Sequence, residues 1–189
     1  MSSKYENLEK VNALENEALR HDVNGWLVYD FLTFDWWLLL VFFTLPWLIW
    51  IKYVDRNRII EIFLFGMFII KITTLTDILG TELNFWKYPT SLIPIYPRAF
   101  PFDISMVPVA MMLLYQYFTT WKTYFISLFV MASSFAFIGE PFCVWQELVI
   151  YTNWHYFYSF VYYIVLGILI RAFVEKLKRL QFSKHRHDT

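Results

Sequence analysis

The chain has little of what a water-soluble domain needs. Only 17% of its 189 residues are charged, Lys and Arg balance Asp and Glu at 16 each, and the formal net charge is zero. Nothing in that balance supplies the positive field a nucleic acid requires. A single cysteine, Cys143, excludes an internal disulfide and argues against a cysteine metal site. Of the four histidines, His21, His185 and His187 lie in the tails, so two histidines cannot ligate a haem within the apolar part. No phosphate-binding glycine loop, His-Glu-x-x-His or Gly-x-Ser-x-Gly occurs. There is no internal repeat of the kind that inverted-repeat transporters carry. The first 20 residues are mostly polar and read as a tail rather than a cleavable signal peptide.

What is present is apolar: 58% hydrophobic and 22% aromatic residues, gathered in long runs. Runs of roughly 17 to 25 residues cross a bilayer, and five candidates follow: Phe34–Ile51, Ile59–Leu79, Ile104–Phe118, Thr123–Ile138 and Tyr156–Val174, the third and fourth being short. The expected fold is an all-α polytopic transmembrane bundle of five spans. Its expected parts are an N-terminal amphipathic surface helix over 1–25, a membrane domain over 26–174 and a basic tail over 175–189. The helix is read from the capping box Ser3-Lys-Tyr-Glu6 and from Tyr5, Leu8, Val11, Leu14 and Ala18 at helical spacing before the Asn24-Gly25 break. If the spans alternate, Lys52, Arg56, Arg58, Lys122, Arg171, Lys176, Lys178, Arg179, Lys184 and Arg186 share one side. The positive-inside rule makes that side cytoplasmic, with the N-terminus outside.

A few ionisable residues interrupt the apolar runs. Lys71 lies about 18 Å into a core of about 30 Å, where a lysine costs about 2.5–3.5 kcal/mol, so a partner is expected. Asp77 is six positions on, about 240° around the helix, which leaves Asp103 and Glu140 as the carboxylates to meet Lys71. Arg98-Ala-Phe-Pro-Phe-Asp103-Ile-Ser-Met-Val-Pro108 places an arginine, a carboxylate and two prolines where a span should begin. There Asp103 suits the positive end of a helix dipole. Glu140 sits between Gly139 and Pro141, and His155, Ser159 and Tyr162 share one helical face. The segment from Gly80 to Asp103, with Pro89, Pro94, Pro97 and Pro101 among aromatic residues, reads as a packed lid or re-entrant turn.

Lys71, Asp77, Arg98, Asp103, Glu140 and His155 are thus the candidate polar cluster, in the outer half of the bilayer. It is read as a non-enzymatic site for a small cation, a lipid headgroup or a partner membrane helix, with no metal and no cofactor. The alternative is a membrane-embedded enzyme acting on an isoprenoid or other lipid, with Asp103 or Glu140 as general acid and aromatic faces steadying a developing cation. Ion conduction lacks a path, since the inner half offers little beyond Tyr115, Gln116 and Ser127.

The segments Phe-Pro-Phe-Asp103 with Val-Pro108, Tyr115-Gln-Tyr, Gly-Glu140-Pro, and Trp154 with Tyr158-Ser-Phe carry a resemblance. Over roughly Asp77 to Gly167 the chain resembles an uncharacterised family of small multi-pass membrane proteins of Bacillus- and Clostridium-type bacteria. That resemblance implies a bacterial cell membrane and this architecture, and no reaction. A fainter likeness to the small lycopene cyclase subunits does not extend to their acidic motif, so no catalytic residue is transferred from them.

Overall fold

The computed structural model describes residues 3–185, with side chains through Gln181. It is all-α and 80% helical. Four stretches are long and apolar enough to cross a membrane: Phe34–Tyr53, Arg56–Glu82, Trp121–Trp145 and Tyr156–Gln181. The first and last contain helices α2 (Phe34–Tyr53) and α7 (Tyr156–His185). The second is helix α3 (Ile59–Glu82) behind a single 3-10 turn. The third is helix α5 (Trp121–Ser134) running through a π turn at Phe135–Gly139 into the short helix α6 (Glu140–Trp145). Helix α1 (Ser3–Gly25) precedes them, buries none of its residues and reaches the rest of the chain through an Asp22–Arg98 ion pair.

The expected third span appears as helix α4 (Val107–Tyr117), entered through a π turn at Phe102–Met106. At about 1.5 Å per residue its 11 residues reach only about 16 Å. Yet it is the most enclosed helix, with Val107, Pro108, Val109, Met111, Met112, Tyr115 and Gln116 all buried. Met111 and Met112 fill the core, as methionines at helical spacing do. Met112 is let in by Gly66 of α3, where a Cβ would stand 2.3 Å from its sulfur.

The π turns at Phe102–Met106 and Phe135–Gly139 have one cause. Each begins at a phenylalanine and ends two residues before a proline, Pro108 or Pro141. Proline has no N–H and its ring crowds the carbonyl four residues back, and the helix here widens. Val107 N–H donates to Phe102 O and Glu140 N–H to Phe135 O, each five residues back. Pro108 leaves nearby carbonyls without backbone donors, and other helices supply them. Trp47 Nε1 donates to Ile104 O at 3.1 Å, and Thr73 Oγ1 lies 3.2 Å from Asp103 O. Such replacement is what makes an interior proline tolerable in an apolar medium.

One end of the bundle is closed by charge. Gln116 spans the α2–α3 turn, donating from Nε2 to Tyr53 O (2.8 Å) and accepting from Asp55 N–H (2.9 Å). Glu61 accepts from Arg58, from Lys178 (2.8 Å) and from the Tyr115 hydroxyl (2.5 Å). Arg171 is 2% exposed. It lies over the Tyr124 and Trp121 rings, pairs with Glu175 and donates to Phe118 O (2.8 Å) and Thr119 O, carbonyls freed where α4 ends.

At the other end the expected lid is an ordered cap. Helix α3 ends with Phe85 N–H on Gly80 O and Asn84 N–H on Thr81 O, with Asn84 at φ 57°. That is a Schellman turn, and asparagine tolerates the left-handed conformation it needs. Helix α6 ends the same way, Leu148 on Cys143 O and Glu147 on Val144 O, with Glu147 at φ 54°. The turns launch two short strands, β1 (Trp86–Lys87) and β2 (Ile150–Tyr151), paired antiparallel with Trp86 opposite Tyr151. Helix α6 covers Phe142 to Trp145, and this turn and strand follow it. Trp36 Nε1 ties the loop to α2 through Leu92 O, and Trp26 Nε1, from the turn at Trp26–Asp30 ahead of α2, ties it through Ser91 O.

Candidate functional site

Under that cap, between α3, the start of α4, α5–α6 and α7, lies a cavity of about 380 Å³. Three carboxyl groups line it: Asp77 from α3, Asp103 from the first π turn, and Glu140 just after the second. Both widened turns therefore deliver an acid to the same space, in keeping with the tendency of π turns to mark functional sites. Among the described residues lining the cavity there is no lysine, arginine or histidine. Its walls are aromatic, with Trp86, Tyr88, Tyr151, Trp154, Tyr162 and Tyr163 prominent.

The three acids are held differently. Asp77 Oδ1 accepts from Trp86 Nε1 (2.8 Å) and from the Tyr88 hydroxyl (2.6 Å). Trp86 reaches it only because residue 80 is glycine. Burial, reinforced by the Asp77 charge, pushes the Tyr88 hydroxyl well above the usual phenol range, which keeps it a donor. Burial and then Glu140 do the same to the Tyr151 hydroxyl. Glu140 Oε1 accepts from the Tyr163 hydroxyl at 3.0 Å and the Tyr151 and Ser159 hydroxyls stand beside the carboxyl, while its buried Oε2 has no hydrogen bond of good geometry. Asp103, 8% exposed, keeps its carboxyl free of the helix-cap role: its backbone N–H bonds Ala99 O and its Oδ2 is buried without a donor. The Tyr162 hydroxyl is likewise unpartnered.

Buried polar atoms are rarely left unsatisfied, and each such atom calls for an explanation. Two acid oxygens and a hydroxyl in this condition, in one cavity, leave room for a ligand that donates hydrogen bonds or carries positive charge. Metal chemistry finds no such support: among the described residues, no group of three or more His, Cys, Asp or Glu is placed to hold an ion. An organic group with apolar surface suits the aromatic walls.

The other expected members of the cluster lie elsewhere. Lys71 is exposed on the outer face of α3, among Met67 and Leu75. Among the described residues no carboxylate is within ion-pair distance of it. The expected Lys71–carboxylate pair is therefore corrected: α3 turns Asp77 and Thr73 inward and Lys71 outward. Arg98 is taken by Asp22 and stacks over Tyr96. His155 is exposed and packs edge-on against Tyr158 at 5.4 Å, while Ser159, one turn on, accepts from Trp154 Nε1 at 2.8 Å beside the cavity.

Sequence alone does not mark Trp86, Tyr88, Tyr151 and Tyr163 as site residues, because aromatics near membrane ends are ordinarily anchors. A usable signal was there for Tyr163: a phenol within a span needs a partner when buried. Comparison of the chain with protein-family models, with curated proteins and with solved structures yields no match to any of them.

Proposed function

We propose that the protein is an integral membrane binding protein whose cavity takes the cationic group of an organic ligand. One observation carries the reading: buried, undonated oxygens of Asp103 and Glu140 share an aromatic-walled cavity that, among the described residues, no basic side chain lines. A cation brought there meets carboxylates for charge and ring faces for cation–π attraction. Supporting details are the donors fixed on Asp77, which orient that acid, and the Schellman-launched strands that hold Trp86 and Tyr151 above the space.

The same reading completes the topology. Helix α4 with its π turn counts as a fifth crossing, packed against α2, α3 and α5. The basic end with Arg56, Arg58, Lys122, Lys176, Lys178 and Arg179 faces the cytoplasm of a bacterial cell, and the N-terminal helix lies on the outer surface.

The test is thermal protection of the detergent-purified protein by small organic cations such as ethylammonium. A ligand at a hundredfold its Kd stabilises by about 2.7 kcal/mol. Protection is expected for wild type and is expected to vanish in Asp103→Asn with Glu140→Gln. Absence of protection, or protection undiminished by these changes, sinks the reading.

A second reading draws on the same carboxyl groups. An acid facing rings in a dry cavity can protonate an isoprenoid double bond, the rings steadying the carbocation. An isoprenoid product that appears on expression and is lost with Asp103→Asn distinguishes catalysis from binding.

A further inference from the structure

The walls of the cavity do not all face the same way. Toward the capped end Trp86 and Val149 are buried and Tyr88 and Tyr151 at least half-buried. On the flank, Ser134 and Ile138 line the cavity and are nevertheless exposed, Ile138 at 70%. Phe102 and Met106, from the first π turn, also line the cavity and are partly exposed. The gap follows from how the helices diverge. Helices α4 and α5 are joined by the short turn over 118–120 and pack together. Farther along, the first π turn packs on α2 and α3 and the second on α7. The two helices therefore splay, and the cavity occupies the wide end of the V. Val130, Phe137 and Ile138 are exposed on that flank, an apolar face that meets acyl chains in a bilayer.

The chemistry inside narrows the headgroup. Asp103 Oδ2 and Glu140 Oε2 are acceptors lacking donors. A quaternary ammonium has no N–H to offer, whereas a primary ammonium has three, as in a lysine head. With no lysine, arginine or histidine among the described lining residues, a phosphate beside the amine would be buried without a counter-charge, which is strongly unfavourable. Resting on the cation-binding reading above, we propose that the ligand is a single-chain primary amine dissolved in the bilayer. It enters sideways between α4 and α5, sets its ammonium on Asp103 and Glu140, and leaves its chain running out past Ile138 into the lipid.

The experiment compares four probes on the full chain in phosphatidylcholine nanodiscs by thermal protection: dodecylamine, ethylamine, dodecyltrimethylammonium and lysophosphatidylethanolamine. Dodecylamine is expected to protect at a total concentration at least tenfold below ethylamine, because it concentrates in the bilayer from which the mouth opens. The trimethylammonium and phosphate-bearing probes are expected to leave the melting temperature unchanged. In Ile138→Trp, and separately in Ser134→Phe, half-maximal protection by dodecylamine is expected to need at least tenfold more ligand. An unliganded melting temperature within a few degrees of wild type reports that both variants are folded. Protection by either of the other two probes equal to that of dodecylamine overturns the headgroup assignment. Dodecylamine protection untouched by both plugs overturns the lateral mouth. Ethylamine that binds where dodecylamine does not refutes this inference and spares the cation site; binding by neither amine refutes both.

Discussion

Gly80→Ala separates what the helix wants from what the tertiary structure wants. Residue 80 lies in the last turn of α3, where alanine is the better helix former by about 1 kcal/mol. Judged by propensity alone, the variant gains stability. The cap predicts the reverse. A Cβ at residue 80 would stand 2.0 Å from Trp86 Cζ2 and 2.2 Å from Cη2. Carbon atoms rest about 3.5–4.0 Å apart, so the indole must retreat by more than an ångström. Its Nε1 then leaves Asp77 Oδ1, now at 2.8 Å. Losing a hydrogen bond to a charged group costs about 1.5–3 kcal/mol, and overpacking adds about 1–3 kcal/mol. After subtracting the propensity gain, the net loss is about 1.5–5 kcal/mol. For a chain of this size, each kcal/mol moves the midpoint by about 2–4 °C. The assay is thermal unfolding in detergent followed by near-ultraviolet circular dichroism, which also reports the tryptophan environment. Gly25→Ala is the control, since its Cβ would meet nothing within 4 Å, and it should be neutral or slightly stabilising. A Gly80→Ala protein as stable as wild type would refute the packing of Trp86 on α3 and with it the roof of the cavity.

Four other outcomes are expected. Arg171→Ala should lose about 3–5 kcal/mol in the same melts, because Glu175 and the Phe118 and Thr119 carbonyls lose their buried donor; a loss below about 1 kcal/mol would place the guanidinium in water. Glu147→Gly should gain about 0.5–1 kcal/mol by relieving a left-handed conformation that glycine adopts freely, and a decrease would contradict the turn that launches β2. Lys71→Leu should leave amine protection unchanged and not lower the midpoint, since the side chain meets no carboxylate; loss of protection would tie Lys71 to the cavity. Burial raises the pKa of Asp30 above 3.8 against the opposing bond from Ser91 N–H. The folded form therefore holds its proton more tightly, and stability falls as pH rises from 3.8 through the folded pKa. Asp30→Asn should thus match wild type near pH 3 and exceed it at pH 7, and a reversed order at pH 7 would refute the burial argument.

Helix and membrane character were legible in the residues themselves. Runs such as Phe34–Ile51 and Tyr156–Val174 leave the backbone no partners in lipid but its own, so length and apolarity are enough to define them. Pro108 and Pro141 announced broken backbone bonding, and Asp77, Asp103 and Glu140 announced polar atoms at depth, because each is a property of one position. Other matters depended on rotation and lateral order, which no single position encodes. Lys71 and Asp77 belong to the same helix, and only the packing of α3 against α4 and α7 decided that the acid faces in and the lysine out. Arg171 read as one more basic residue near an inner surface, and it is buried because the turn over 118–120 brings two bare carbonyls to it. Trp47 answers the carbonyl that Pro108 leaves open from another helix, 57 residues away in the chain. The cavity has no sequence signal at all. It is the space left where α4 and α5 part, and a space between helices exists only once their axes are set.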